Sequence, residues 1–163
     1  MQFRDHEYYV ASLERMRQAH FIYAQGEAYA LAIYCGGLAV ECMLRAFRWK
    51  VDKNFEGRHD LKELLKASAV LGVDEERMRR RDIDDERIRK SSMEFKAAMN
   101  EIVVLWHNSL RFASETRLKA HLRKTNKLQG IKGDPLKKNA ANLINAAQLV
   151  INRGMVTWNS RKE

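Results

Sequence analysis

Residues 27–49 read EAYALAIYCGGLAVECMLRAFRW, and this stretch decides the fold. It is apolar on nearly every side of a helix, so neighbours must cover it all round, and that places it at the centre of a bundle. Gly36 and Gly37 lack side chains and let another helix approach closely, at a propensity cost of roughly 1 kcal/mol each. Glu41 is the odd residue, because a carboxylate in such a helix needs a partner. Arg45, one turn on, or Arg111, from further along the chain, could supply it. Cys35 and Cys42 lie seven residues apart, about 10.5 Å along the helix axis at ~1.5 Å per residue. A disulfide needs Cα atoms within roughly 7 Å, so the two cannot bridge and read as core residues in a reducing cytoplasm.

Around this hub the rest of the chain keeps helical time. Residues 5–25 interleave Val10, Leu13, Met16, Phe21 and Ala24 with charges, a first amphipathic helix. VDKNFEGR, residues 51–58, reads as a loop. Asp60 and Glu63 then form a capping box for a third helix with Leu61, Leu64, Leu65 and Ser68 inward and Gly72 as its stop. Residues 74–90 hold seven acids and seven bases and read as a solvated, salt-bridge-laced helical excursion with freedom to move. Ser91 and Glu94 open a fourth helix whose apolar positions, Phe95 to Ala113, run for over five turns at ~3.6 residues each. A short basic helix spans 115–128, and Asp134 and Pro135 start the last, which Gly154 ends. No stretch alternates with period two. The expectation is an all-α, up-and-down bundle of about five to six helices, one domain over residues 1–163 with a tail at 155–163.

Composition narrows the partners. The chain has 45% hydrophobic and 31% charged residues, ordinary for a globular protein. Its longest uncharged apolar run, Ala28 to Val40, has 13 residues, short of the roughly 20 that span a bilayer. No membrane partner is expected. MQFRDHEYYV at the start has acids and no apolar core of a secretory signal, so the expected location is cytoplasmic. The net charge of +9 is uneven: residues 1–90 carry 17 bases and 16 acids, and residues 91–163 carry 13 and 5. Nine bases face two acids between Arg111 and Lys138, an excess that attracts phosphate backbones or acidic partners.

The stretch EIVVLWHNSLRFAS, residues 101–114, sets His107, Asn108 and Arg111 into the apolar pattern. On a continuous helix His107 and Arg111 would share a face. No phosphate-cradling glycine loop, paired-cysteine zinc spacing or histidine pair four apart is present, so no cofactor and no metal are expected.

AVECMLRAF (39–47), GRHDLKELL (57–65) and LWHNSLRF (105–112) together resemble the HEPN domain, a helical bundle of prokaryotic toxin–antitoxin and antiviral systems. The similarity is carried by Ala39, Glu41, Leu44, Arg45 and Ala46, then His59, Asp60 and Leu61, then Trp106, Arg111 and Phe112, and covers roughly residues 6–153. It implies a homodimer. It also implies structural roles for Glu41, Arg45, His59, Asp60 and Trp106. Catalytic members cleave RNA without metal, using an arginine four to six residues before a histidine on the late core helix. This sequence departs from that order, since His107 precedes Arg111. Arg117 and His121 are one residue too close, and the literal match, Arg15 to His20, sits on the first helix.

Three functions are therefore expected in turn. The first is a HEPN-like protein of a toxin–antitoxin or defence system that binds RNA or a nucleotide through Asn108, Arg111, Arg117, Lys119, His121, Arg123, Lys124 and Lys127, and lacks the standard ribonuclease motif. The second is a metal-independent endoribonuclease using His107 and Arg111. The third is a non-catalytic module that partners a nucleotidyltransferase or another defence protein.

Overall fold

The computed structural model describes residues 3–53 and 59–160. Among them are seven α-helices: α1 (Asp5–Gln25), α2 (Tyr29–Val51), α3 (Leu61–Ser68), α4 (Val70–Arg79), α5 (Asp85–Leu105), α6 (Glu115–Lys124) and α7 (Pro135–Asn159). A 3-10 turn, η1 (Asn108–Phe112), joins α5 to α6. No described residue is in a strand, so the protein is an all-α bundle. Of the loop read at 51–58, Val51 belongs to α2 and residues 54–58 lie outside the described residues.

The hub is where its composition puts it. Ala32, Ile33, Ala39, Val40, Met43, Leu44, Ala46 and Phe47 of α2 are wholly buried, and α1, α3, α7 and η1 pack around the helix. Among the described helices α2 alone is long and apolar enough to cross a bilayer, yet 78% of its most apolar window is buried inside the bundle. Gly37 admits an aromatic ring rather than a backbone: a Cβ there would stand 2.0 Å from Trp106 Cδ1. Gly36 admits Leu143 of α7, whose Cδ2 would stand 2.6 Å from a Cβ there. Both cysteines are free, and burial, with Glu41 second, pushes the Cys42 thiol up to about 12.

Several boundaries differ from the sequence reading, and the basic helix read over 115–128 ends at Lys124. The third helix breaks at Ala69, which adopts a left-handed φ of 53°, and Gly72 sits inside α4 instead of ending a helix. α5 starts at Asp85, capped by Asp84, whose side chain accepts from Arg87 N, and not at Ser91. Acidic Asp85 and Glu86 in its first turn complement the positive end of the helix. α7 runs through Gly154, whose missing side chain makes room for Met43, on to Asn159. What was read as a tail from 155 is therefore helix, held by Trp158, which stacks on Tyr9 at 4.9 Å and meets Phe47 edge-on. Residues 161–163 lie outside the described residues.

Most of residues 74–90 are exposed and carry the ion pairs Arg80–Glu76 and Arg87–Asp84. Asp74 is the exception: it is buried, not solvated. Its carboxylate accepts from Arg77 of α4 and from Arg153 and Thr157 of α7. Arg153 also donates to Ser91, so the Asp74–Arg153 pair joins α4, α5 and α7. Ser92 likewise donates to Glu75 at 2.6 Å.

Candidate nucleic-acid interface

The site begins where α5 stops. Trp106 is already extended (φ −114°, ψ 140°) and so is His107, so the apolar helix read through Ala113 ends at Leu105. The cause is local. His107 Nδ1 accepts from Ser109 N at 3.2 Å and caps η1, one of the side-chain-to-backbone bonds with which polar residues compete against helix. Leu110 keeps its place in the core, and its neighbours are turned outward. His107 and Arg111 therefore do not share an α-helical face; they lie on one short turn.

That turn separates two clefts. The first, about 420 Å³, has His59 and Asp60 on one wall and His107, Asn108 and Arg111 on the other. The second, about 370 Å³, is lined by Arg117, His121 and Lys124 of α6. His107, Ser109 and Phe112 border both. Phe112 is 79% exposed, a large apolar ring left in water on the ridge between them. The Arg111 guanidinium sits 4.6 Å over its centroid.

Glu41 finds its partner, and it is not Arg111. Its Oε1 accepts from Arg45 Nε at 2.7 Å and is 2.8 Å from His59 Nδ1, while Oε2 is buried with no hydrogen-bond partner among the described residues. Arg111 stays on the wall of the first cleft. Tyr34 lies in the field of both groups: burial raises its phenol's pKa, with Arg111 opposing and Glu41 adding to the shift. Trp106 anchors the floor by donating from Nε1 to Tyr34 O at 3.1 Å. Asp60 caps α3, accepting from Lys62 N and Glu63 N.

Comparison with family models, curated proteins and solved structures gives no match.

The basic residues divide. Arg117, His121 and Lys124 share the cleft face of α6, and His121 Nε2 reaches Val104 O at 3.2 Å, tying α6 to the end of α5. Lys119 and Arg123 are exposed on the opposite side of that helix, away from both clefts. Lys127 pairs with Glu101 at 2.7 Å. Arg15 and His20 are on α1, where His20 bonds Gln148 of α7 at 2.7 Å and faces a separate groove. His59 was read as a structural residue, and its position on the cleft wall was missed. No local pattern could give it, because its orienting carboxylate is 18 residues away.

Proposed function

We propose that the chain binds single-stranded RNA across the ridge formed by residues 107–112. Exposed Phe112 carries the reading: a solvated aromatic ring under a guanidinium, flanked by Arg117, His121 and Lys124, offers a base-stacking platform beside a track for phosphates. The +7 excess between Arg111 and Lys138 supplies the long-range attraction. The HEPN resemblance agrees with this and adds a homodimer in a toxin–antitoxin or defence setting.

Fluorescence anisotropy of a labelled single strand tests it. Phe112→Ala should weaken binding about tenfold or more, the order of one base stack. Arg117→Glu with Lys124→Glu should weaken it further and flatten the salt dependence. Equal affinity in all three proteins, or no binding by wild type at low salt, ends the idea.

A second reading, metal-independent cleavage of the bound strand, is favoured by one observation: His59 joins His107 and Arg111 around a single cavity. Incubation with RNA in EDTA decides it, and intact RNA throughout removes it.

A further inference from the structure

A groove of about 540 Å³ runs along α4 toward the end of α7, and it shares no residue with the two clefts. One end is small and apolar, formed by Ala69, Gly72 and Val73, and the other carries Arg77, Arg80 and Arg81. A Cβ on Gly72 would meet nothing within 4 Å, so the apolar end is open floor rather than packed helix. The arginine end holds more charge than its acids cancel. Arg77 gives Nε and Nη2 to Asp74 Oδ1, at 3.2 and 2.9 Å, and its Nη1 donates to no described residue. Asp74 is shared with Arg153, so one carboxylate faces two guanidinium groups there. Arg80 pairs with exposed Glu76 at 3.1 Å, a weak contact in water, and Arg81 pairs with no described residue. The lining groups and the buried pair behind them thus set four guanidinium groups against two carboxylates.

We propose that this groove docks an acidic segment of a partner protein, with a carboxylate held by Arg77, Arg80 and Arg81 and an apolar side chain laid over Gly72 and Val73. The chemistry favours a peptide over a nucleic acid. Guanidinium groups hold a single carboxylate through paired, directional hydrogen bonds. Among the described residues no aromatic ring lines the groove for a base to stack on. Just beyond Arg81 come Asp82, Asp84, Asp85 and Glu86, which repel a chain of phosphates. The geometry also sets a spacing. Gly72 and Arg80 are eight positions apart along α4 and its C-cap, about 12 Å at ~1.5 Å per residue. An extended peptide covers that length in roughly three to four residues at ~3.3 Å each. The recognised pattern is therefore an apolar residue and an acid with two or three residues between them. The site stands apart from the ridge at 107–112 and does not depend on the RNA reading.

Amide NMR of the full chain tests it, with titration by the peptides Leu-Ser-Ser-Ser-Glu and Glu-Ser-Ser-Ser-Leu, both blocked at their termini. Shifts should concentrate in residues 69–81, and binding should weaken as salt rises, because Arg80 and Arg81 are exposed. Replacing the peptide's Glu by Gln should weaken it about tenfold or more, the order of a lost charge-assisted hydrogen bond. Arg80→Glu with Arg81→Glu should do the same. Neither variant disturbs the buried Arg77–Asp74 pair, so the spectrum outside 69–81 should stay as in wild type. Gly72→Leu, which fills open floor without meeting a neighbour, should also abolish most of the binding while the fold stands. Silence from both peptides up to their solubility limit overturns the proposal. So does full binding by Gly72→Leu, or acetate shifting the same amides as tightly as the better peptide. Single-stranded RNA binding at 69–81 more tightly than either peptide overturns it in favour of a phosphate site.

Discussion

Asp74→Ala is expected to cost about 3–5 kcal/mol of stability, the range for breaking a buried ion pair by removing one partner. The side chain is 3% exposed, and its partners Arg77 and Arg153 are 13% and 18% exposed. Oδ1 accepts from Arg77 Nη2 at 2.9 Å and Thr157 Oγ1 at 2.8 Å, and Oδ2 accepts from Arg153 Nε at 3.0 Å. Deleting the acid strands two guanidinium groups away from water and unties α4 from α7. The effect should depend on pH. Burial alone would raise the Asp74 pKa, but the hydrogen bonds from Arg153, Arg77 and Thr157 outweigh it and hold the carboxyl below its ordinary value. A folded pKa below the unfolded one gives stability that is present above the unfolded value and lost as pH falls through the folded one. Urea melts of wild type and Asp74→Ala should thus lie far apart at neutral pH and converge in acid. A difference under about 1 kcal/mol at neutral pH is the behaviour of a solvated pair and would contradict the buried one.

Trp106→Ala is expected to cost about 3–5 kcal/mol, as for other buried large aromatics. Trp106 is 4% exposed and fills the notch that Gly37 leaves in α2. The pairing gives a sharper test than either residue alone. In wild type, Gly37→Ala drives a Cβ to within 2.4 Å of three indole atoms and should destabilise, because an overfilled core costs about 1–3 kcal/mol. In the Trp106→Ala background the notch is empty, and the same change should stabilise by about 1 kcal/mol through helix propensity alone. A sign reversal in chemical denaturation marks direct contact, and equal effects in both backgrounds would place the ring elsewhere. Because Trp106 also floors the first cleft, its loss should weaken RNA binding as well.

The fold was legible wherever one residue's burial repeats at helical spacing. The all-round apolar character of α2 gave its central position, and Asp60 and Asp134 cap α3 and α7 as their spacing suggested. Where the chain turns without breaking that rhythm, the sequence misled. Leu110 falls where a continuing α5 would bury it, and η1 buries it too, so periodicity carried the helix past Trp106. The clue was the polar trio His107, Asn108 and Ser109, whose side chains favour a cap over a helix interior. Ala69 gave no signal, since alanine is a good helix former held left-handed here by its surroundings. Asp74 and His59 show the other limit. Both sit in polar segments, and both are defined by residues far along the chain, Thr157 by 83 positions and Glu41 by 18. Charge composition sees neither pairing. The cationic stretch was visible as a total, and only the folded helix separates Arg117 and Lys124, on the cleft, from Lys119 and Arg123, behind it.

Hydrogen–deuterium exchange of the protein with and without a short single-stranded RNA tests the ridge most directly. Amide protection on binding should concentrate in residues 107–124, from the turn after Trp106 through α6, and fade in Phe112→Ala. Protection confined to the groove between α1 and α7, or to α4, or unchanged exchange across 107–124 at saturating RNA, would contradict the assignment.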